Sequence, residues 1–438
     1  MPLRPVIDQA PHITPIDPLS IAVFVLFFIA ALLLTRRRAA FGLAILIVTD
    51  PFAFYRDVAH TTITLPKIAL VAVVIGLIWN RASPALVWDW RIRPLLLAIC
   101  AVALTTALSI AQADFIAPAI RETLKALQYV ALFVTAVVAY AHDPDRRLIR
   151  AALLATVGVV ALLALSQELL GAPSGMWFNG HPIPRIAGPL EGPNQLSGYF
   201  GIALPLVLIF ALIDADAPSL LVLALVSCAD VLTLSRAGVV SAAISIATVA
   251  FIARRAQWRP AFASMSAGIT LGLAVDAAWS FITAHSSGGI ARFGSIAQVA
   301  HPGAVGTRSQ LWHAAFSLWK QHPLFGIGAG NFELEIARVG PPNVRTHANN
   351  GYLQALTEGG LPLFLATLAA TVISIRSFLG ATLGTPFALG ALAASIGLAF
   401  HEVFDFLVFY PKVGGWWWIV LGIGAAELVA GAREYDRF

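Results

Sequence analysis

Apolar residues along this 438-residue chain come in long runs, and short polar clusters separate them. The runs lie near Ser20–Thr35, Ala39–Phe54, Lys67–Asn80, Pro94–Ala111, Leu124–Ala141, Ile149–Leu170 and Gln195–Ile213. Others follow near Pro218–Leu234, Ala237–Ile252, Ala261–Thr283, Gly360–Ile375, Pro386–Phe406 and Gly414–Ala430. A helix needs about 20 apolar residues to cross the hydrocarbon of a bilayer, so each run predicts a transmembrane helix. The first three are short, which leaves the count at twelve or thirteen. The expected fold class is all-α: one polytopic membrane domain over residues 1–438, with a long loop of short helices at 284–359 between late spans. Within that loop Leu311, Ala315 and Leu318 share one face of a helical patch at Arg308–Gln321, as in an ordered cap.

Composition removes the soluble alternative. Hydrophobic residues make up 58% of the chain and charged residues 12%, about half the share a water-soluble domain carries. Mean hydropathy is +0.81. The net charge of +5 does not point to nucleic acid, because the arginines sit in clusters between apolar runs. Arg36–Arg38, Arg81 with Arg91 and Arg93, Arg146 with Arg147 and Arg150, and Arg254 with Arg255 and Arg259 fall on one side of a thirteen-span topology. The positive-inside rule makes that side cytoplasmic and places the 284–359 loop outside. Cys100 and Cys228 lie inside apolar runs and read as small buried hydrophobes. The stretch before Ser20 is polar and proline-rich, and no cleavable signal peptide is expected.

Five constellations carry chemistry. Arg236, in Leu234-Ser235-Arg236, stands between two spans, where a cation either snorkels to the interface or serves an anion site. Arg308 follows Arg292 by sixteen residues, and the arginine fork matches phosphate oxygens in pairs. Arg345-Thr346-His347-Ala348-Asn349-Asn350 precedes a helix. His347 can take a hydroxyl proton near neutral pH, or the asparagines can simply cap the helix. Phe325-Gly326-Ile327-Gly328-Ala329-Gly330-Asn331 matches neither nucleotide fingerprint and reads as a sharp backbone turn. His401, Glu402 and Asp405 could bind a metal, but no Cys or second His joins them, and the favoured reading is a buried hydrogen-bonded cluster that orients other residues.

Taken in order, these pieces resemble the O-antigen ligase and O-antigen polymerase family of bacterial membrane glycosyltransferases. The residues that carry the resemblance are Gly192-Pro193-Asn194, Leu234-Ser235-Arg236, Arg308 with Trp312, Pro323 to Phe332, His347 to Gly360 and His401 to Asp405. The resemblance is dense from Asn194 to Asp405. It implies a multi-pass protein of the bacterial inner membrane whose active site faces the periplasm. It implies transfer of a glycan from undecaprenyl diphosphate to an acceptor hydroxyl, without cofactor or metal. By the same resemblance His347, Arg236 and Arg308 are catalytic. Arg292, Arg345, Asn194, Asn349, Asn350 and Tyr352 bind substrate, with His401 and Asp405 supporting them. One position departs from the pattern. The family motif usually has histidine immediately before Asn-x-Tyr-Leu, and here Asn349 stands there. Asparagine cannot carry a proton, so His347 takes the base role, or the base differs, or the activity is altered.

The expected reaction is an inverting displacement at the anomeric carbon. The acceptor is lipid A core for a ligase, which is slightly favoured. It is a second lipid-linked glycan for a polymerase, or a protein hydroxyl for an oligosaccharyltransferase. A transporter or flippase is the rival from another class. It calls for ionisable residues deep in several spans, whereas the charges here are read as clustering outside them, with Asp230 and Asp276, each near the external end of a span, as the exceptions.

Overall fold

The computed structural model describes residues 17–435 apart from 53, 59–60, 170–176, 179–180, 183–184, 255, 283–301 and 341–345. Arg292 and Arg345 therefore lie outside the described residues. Ten helices lead up to the cap: α1 (Pro18–Arg37), α2 (Ala39–Thr49), α3 (Leu65–Trp79), α4 (Arg93–Leu108), α5 (Ile116–His142), α6 (Arg146–Leu169), α7 (Pro193–Asp214), α8 (Ala217–Leu232), α9 (Arg236–Ile252) and α10 (Trp258–Ile282). The cap holds α11 (Pro302–Gln321) and α12 (Phe332–Glu335). The chain then returns to the bundle with α13 (Gly351–Arg376), α14 (Pro386–His401) and α15 (Pro411–Tyr435). The described strands are two short antiparallel hairpins, Tyr55–Val58 with Thr61–Thr64 and Trp177–Phe178 with His181–Pro182.

Each of the thirteen apolar runs forms a helix, and the protein is an all-α polytopic membrane protein. Eight of these helices are long and apolar enough to cross a bilayer, and five are shorter. The shortest, α2, has 11 residues and covers about 16 Å at 1.5 Å per residue, roughly half a hydrocarbon core. A helix that is apolar on every side needs either lipid or protein around it. α7 and α14 are sheathed by protein and buried along almost their whole length, whereas α1 presents Leu19, Val25, Leu26, Ile29 and Leu33 outward.

Small residues let the central helices close up, as packing within lipid requires. A Cβ on Gly238 of α9 would fall 1.8 Å from Ser197 Oγ of α7, and one on Gly397 of α14 would fall 2.1 Å from Ser245 Oγ of α9. Ser241 and Ser245 then donate to the carbonyls of Gly397 and Ala393, at 2.7 and 3.0 Å.

The cap has its own core. Leu311, Ala315 and Leu318 are buried on one face of α11, together with Ala314, Ile327, Phe332, Ile336 and Ala348. It is fastened to the bundle by a break in α13. Gly360 has φ +64° and ψ −162°, and Pro362 follows. The break frees the carbonyls of Thr357 and Glu358 from helical bonding. They accept instead from the N–H groups of Ile327 and Gly328, at 3.0 and 2.9 Å, and Leu361 N–H donates to Pro323 O at 3.1 Å. The glycine-rich run can follow this path because Gly326, Gly328 and Gly330 take φ of +66°, +94° and +71°. Its far end is held as well: Ala329 N–H donates to Ser109 Oγ at 3.0 Å, and Asn331 Oδ1 accepts from Phe115 N–H at 2.8 Å.

Gly360→Ala would add a Cβ 2.2 Å from the Leu324 carbonyl oxygen at a left-handed φ. The expected cost exceeds the about 1–2 kcal/mol of left-handed strain alone, and the strap at Pro323–Gly328 should loosen. Faster limited proteolysis of the cap and a lower melting temperature in detergent would show this. Gly380→Ala, where a Cβ meets nothing within 4 Å, should leave both unchanged.

Candidate functional site

A chain break between α8 and α9 prepares one end of the bundle. α8 stops at Leu232, and Leu234 adopts φ +52°, a strained setting for a bulky residue. The kink lets Ser235 cap a new helix, its side chain accepting the N–H of Gly238, so that Arg236 is the first residue of α9. Nearby the chain ahead of α7 brings in a third arginine, Arg185, which is 3% exposed. Arg185 Nε donates to Thr233 O at 2.6 Å and Nη2 donates to Asn194 Oδ1 at 2.7 Å. Asn194 Nδ2 in turn donates to Asp405 Oδ2 at 2.7 Å, across 211 residues of sequence.

Asp405 is the point where the cations gather. Arg308, on α11, interacts electrostatically with both Asp405 and Arg236. Burial lowers the pKa of its guanidinium, the Asp405 carboxylate raises it and Arg236 lowers it again. Arginine keeps its charge regardless. His401, fully buried at the end of α14, lies within electrostatic reach of Asp405 and Arg308. The turn that carries Asp405 is fixed by Glu402. Its Oε1 accepts from the N–H groups of Leu407 and Val408, both at 2.9 Å, and its carbonyl accepts from Gly351 N–H at 2.7 Å. Gly351 leaves room for this carboxylate, since a Cβ there would fall 1.8 Å from Glu402 Oε2.

His347 is 9% exposed and packs against the Phe406, Phe409 and Tyr410 rings, with centroids at 5.4, 4.4 and 6.0 Å. Its Nε2 stands 3.0 Å from Glu333 Oε1 at the first turn of α12. Nδ1 has no hydrogen-bond partner among the described residues. The residues after His347 belong to the start of α13. Ala348 N–H donates to Gln354 Oε1, and Asn350 Oδ1 caps the helix by accepting Leu353 N–H at 2.9 Å. Asn349 sits between them at φ +50°, a conformation asparagine tolerates.

A polar cavity of about 480 Å³ lies among these groups. Arg185, Asn194, Gln195, Thr346, His347, Asn349, Asp405 and Tyr410 line it. Arg236 and Arg308 are not in its wall; Arg308 interacts electrostatically with Asp405, which is, and with Arg236. Tyr352 lies elsewhere: its hydroxyl donates to Ala399 O at 3.0 Å, and it lines a second, mainly apolar cavity of about 150 Å³ between α4, α5, α13, α14 and α15. That cavity contains the ion pair of Lys125 with Glu122, Lys125 Nζ lying 3.5 Å over the Phe409 ring. Phe406 and Phe409 border it while their rings pack on His347.

Arg185, Glu333 and Lys125 do not stand out in the sequence. The signal for Arg185 is its position between the apolar residues Ile183 and Ile186, nine residues ahead of Asn194. Lys125 is a lone cation at the edge of an apolar run.

Residues 221–368 match the family model described as O-antigen ligase. That match supports the O-antigen ligase and polymerase family. It spans Arg236, Arg308, Glu333 and His347, while Arg185, Asn194, His401 and Asp405 lie outside it. No curated protein matches the chain. Glycan transfer of the general O-antigen ligase and polymerase type follows from the match.

Asn194 is the joint of this polar site, donating to the Asp405 carboxylate and accepting from the Arg185 guanidinium. Asn194→Ala should leave both groups short of a partner, at about 1–3 kcal/mol, read as a lower melting temperature of the purified protein. Asn194→Asp, which sets a second carboxylate against Asp405, should fare no better.

Proposed function

We propose that the protein is an O-antigen ligase that transfers a glycan from undecaprenyl diphosphate to a hydroxyl of lipid A core, at the periplasmic face of the bacterial inner membrane. The observation that carries this reading is the gathering of Arg308, Arg236 and Asp405 beside the cavity that His347 lines. A diphosphate has the charge and the paired oxygens to bridge two guanidinium groups. Asn349 and Asn194, also in the cavity wall, offer amide donors and acceptors suited to sugar hydroxyls.

The reaction is a displacement at the anomeric carbon. The bond to the diphosphate oxygen breaks, the bond to the acceptor oxygen forms on the opposite face, and the hydroxyl proton passes to His347. Glu333 sets the tautomer: as a carboxylate it accepts from Nε2–H and leaves the lone pair on Nδ1 as the base. Developing charge on the leaving diphosphate is held by Arg236 and Arg308, which take the place a divalent ion fills in other glycosyl transfers. Since diphosphate is a good leaving group, this electrostatic hold matters at least as much as the base.

Purified protein incubated with lipid-linked glycan and three acceptors, lipid A core, a second lipid-linked glycan and a serine-rich peptide, would give the product by mass. Arg236→Ala and Arg308→Ala should each lower transfer about 10²–10³-fold, and His347→Ala about 10²–10⁴-fold. Glu333→Gln should give a smaller loss. Full activity in the three alanine variants removes the proposed site. A product on another acceptor replaces the ligase reading with polymerase or protein glycosylation.

A further inference from the structure

α4, α13 and α15 also enclose a groove at their ends farthest from His347, with about 550 Å³ of space. Arg91 and Arg376 both line it, and Leu95, Ile373, Phe378 and Leu428 form its apolar wall. From the break at Gly360, α13 needs 16 residues to reach Arg376, or about 24 Å. The groove therefore lies at the far end of α13 from the polar cavity.

Its electrostatics are one-sided. Among the described residues no carboxylate lines it, and neither Arg91 nor Arg376 forms an ion pair. The Arg91 guanidinium rests 4.9 Å from the Trp90 ring, and the nearest acid in sequence, Asp89, accepts the Arg91 backbone N–H at 3.0 Å. α4 begins here on Ile92, which offers no side-chain cap. Arg91 and Arg93 add positive charge at the positive end of that helix, an arrangement an anion relieves. Trp88 and Trp90 are exposed at the same level, where tryptophans mark the edge of the hydrocarbon.

We propose that this groove binds an anionic glycerophospholipid, its phosphate between Arg91 and Arg376 and one acyl chain along Leu95, Ile373 and Leu428. Charge selects the headgroup, and the apolar wall selects a lipid over a free ion. This reading does not depend on the transfer reaction.

The test is the melting temperature of the full chain in detergent during titration with dioleoyl phosphatidylglycerol, dioleoyl phosphatidylcholine or inorganic phosphate. Phosphatidylglycerol should raise it along a saturating curve, and the other two should not. The double variant Arg91→Ala/Arg376→Ala should need about tenfold more phosphatidylglycerol for half the effect. Arg91→Lys/Arg376→Lys should keep most of the response. Gly380→Phe, which fills open space in the groove wall without meeting a neighbour at its Cβ, should lose the response while melting normally without lipid. It decides the matter if the double alanine variant does not fold. An equal response to phosphatidylcholine, a response to inorganic phosphate alone, or an unchanged curve in Gly380→Phe overturns the proposal.

Discussion

Arg236 and Arg308 repel one another in a partly dry setting, and a pair of like charges persists there only with an anion at hand. Asp405 is the resident one. Much of the surrounding architecture serves to keep its carboxylate in place. Glu402 ties down the turn that presents it, Asn194 donates to it, and Arg185 fixes Asn194 while reaching back to Thr233, one residue before the kink at Leu234. The strained leucine and the third arginine thus belong to the same device. One ends α8 so that Arg236 can open α9, and the other splices that junction to the segment ahead of α7.

The histidine side of the site depends on a different constraint. A helix interrupted at Gly360 must find other donors for its freed carbonyls, because neither lipid nor a packed interior supplies them. The glycine-rich run provides them, and in doing so brings Glu333 to His347. Glu358 closes the arrangement from the α13 side, its Oε1 accepting from Phe332 N–H and from Gln354 Nε2. The proposed base and its carboxylate partner therefore come from two segments joined by backbone hydrogen bonds, and neither would be placed without the other.

The helices were legible because lipid imposes a rule on every residue that crosses it, and that rule is written in composition. All thirteen runs became helices, and the face of Leu311, Ala315 and Leu318 in the cap became a core. Boundaries were less legible where charge continues a helix past its apolar part. α5 starts at Ile116, eight residues before its apolar run, and carries Arg121 and Glu122. The turn at Gly326–Gly330 was readable from glycine alone, but its partner was not, since nothing local links Gly328 to Glu358. The same limit hid Arg185 and Glu333. Each acts through a side chain far off or out of register in sequence, and a single arginine in a polar stretch looks the same whether it is solvated or 3% exposed.

The account rests on Arg236 and Arg308 gripping one ligand together. Equilibrium binding of glycan-free undecaprenyl diphosphate to the purified protein tests this, with Arg236→Gln, Arg308→Gln and the double variant compared in a cycle. Shared grip predicts weakened binding in each single variant and a double loss that departs from the sum by more than the about 0.5 kcal/mol expected of independent sites. Binding that survives intact in the double variant, or losses that simply add, would contradict it.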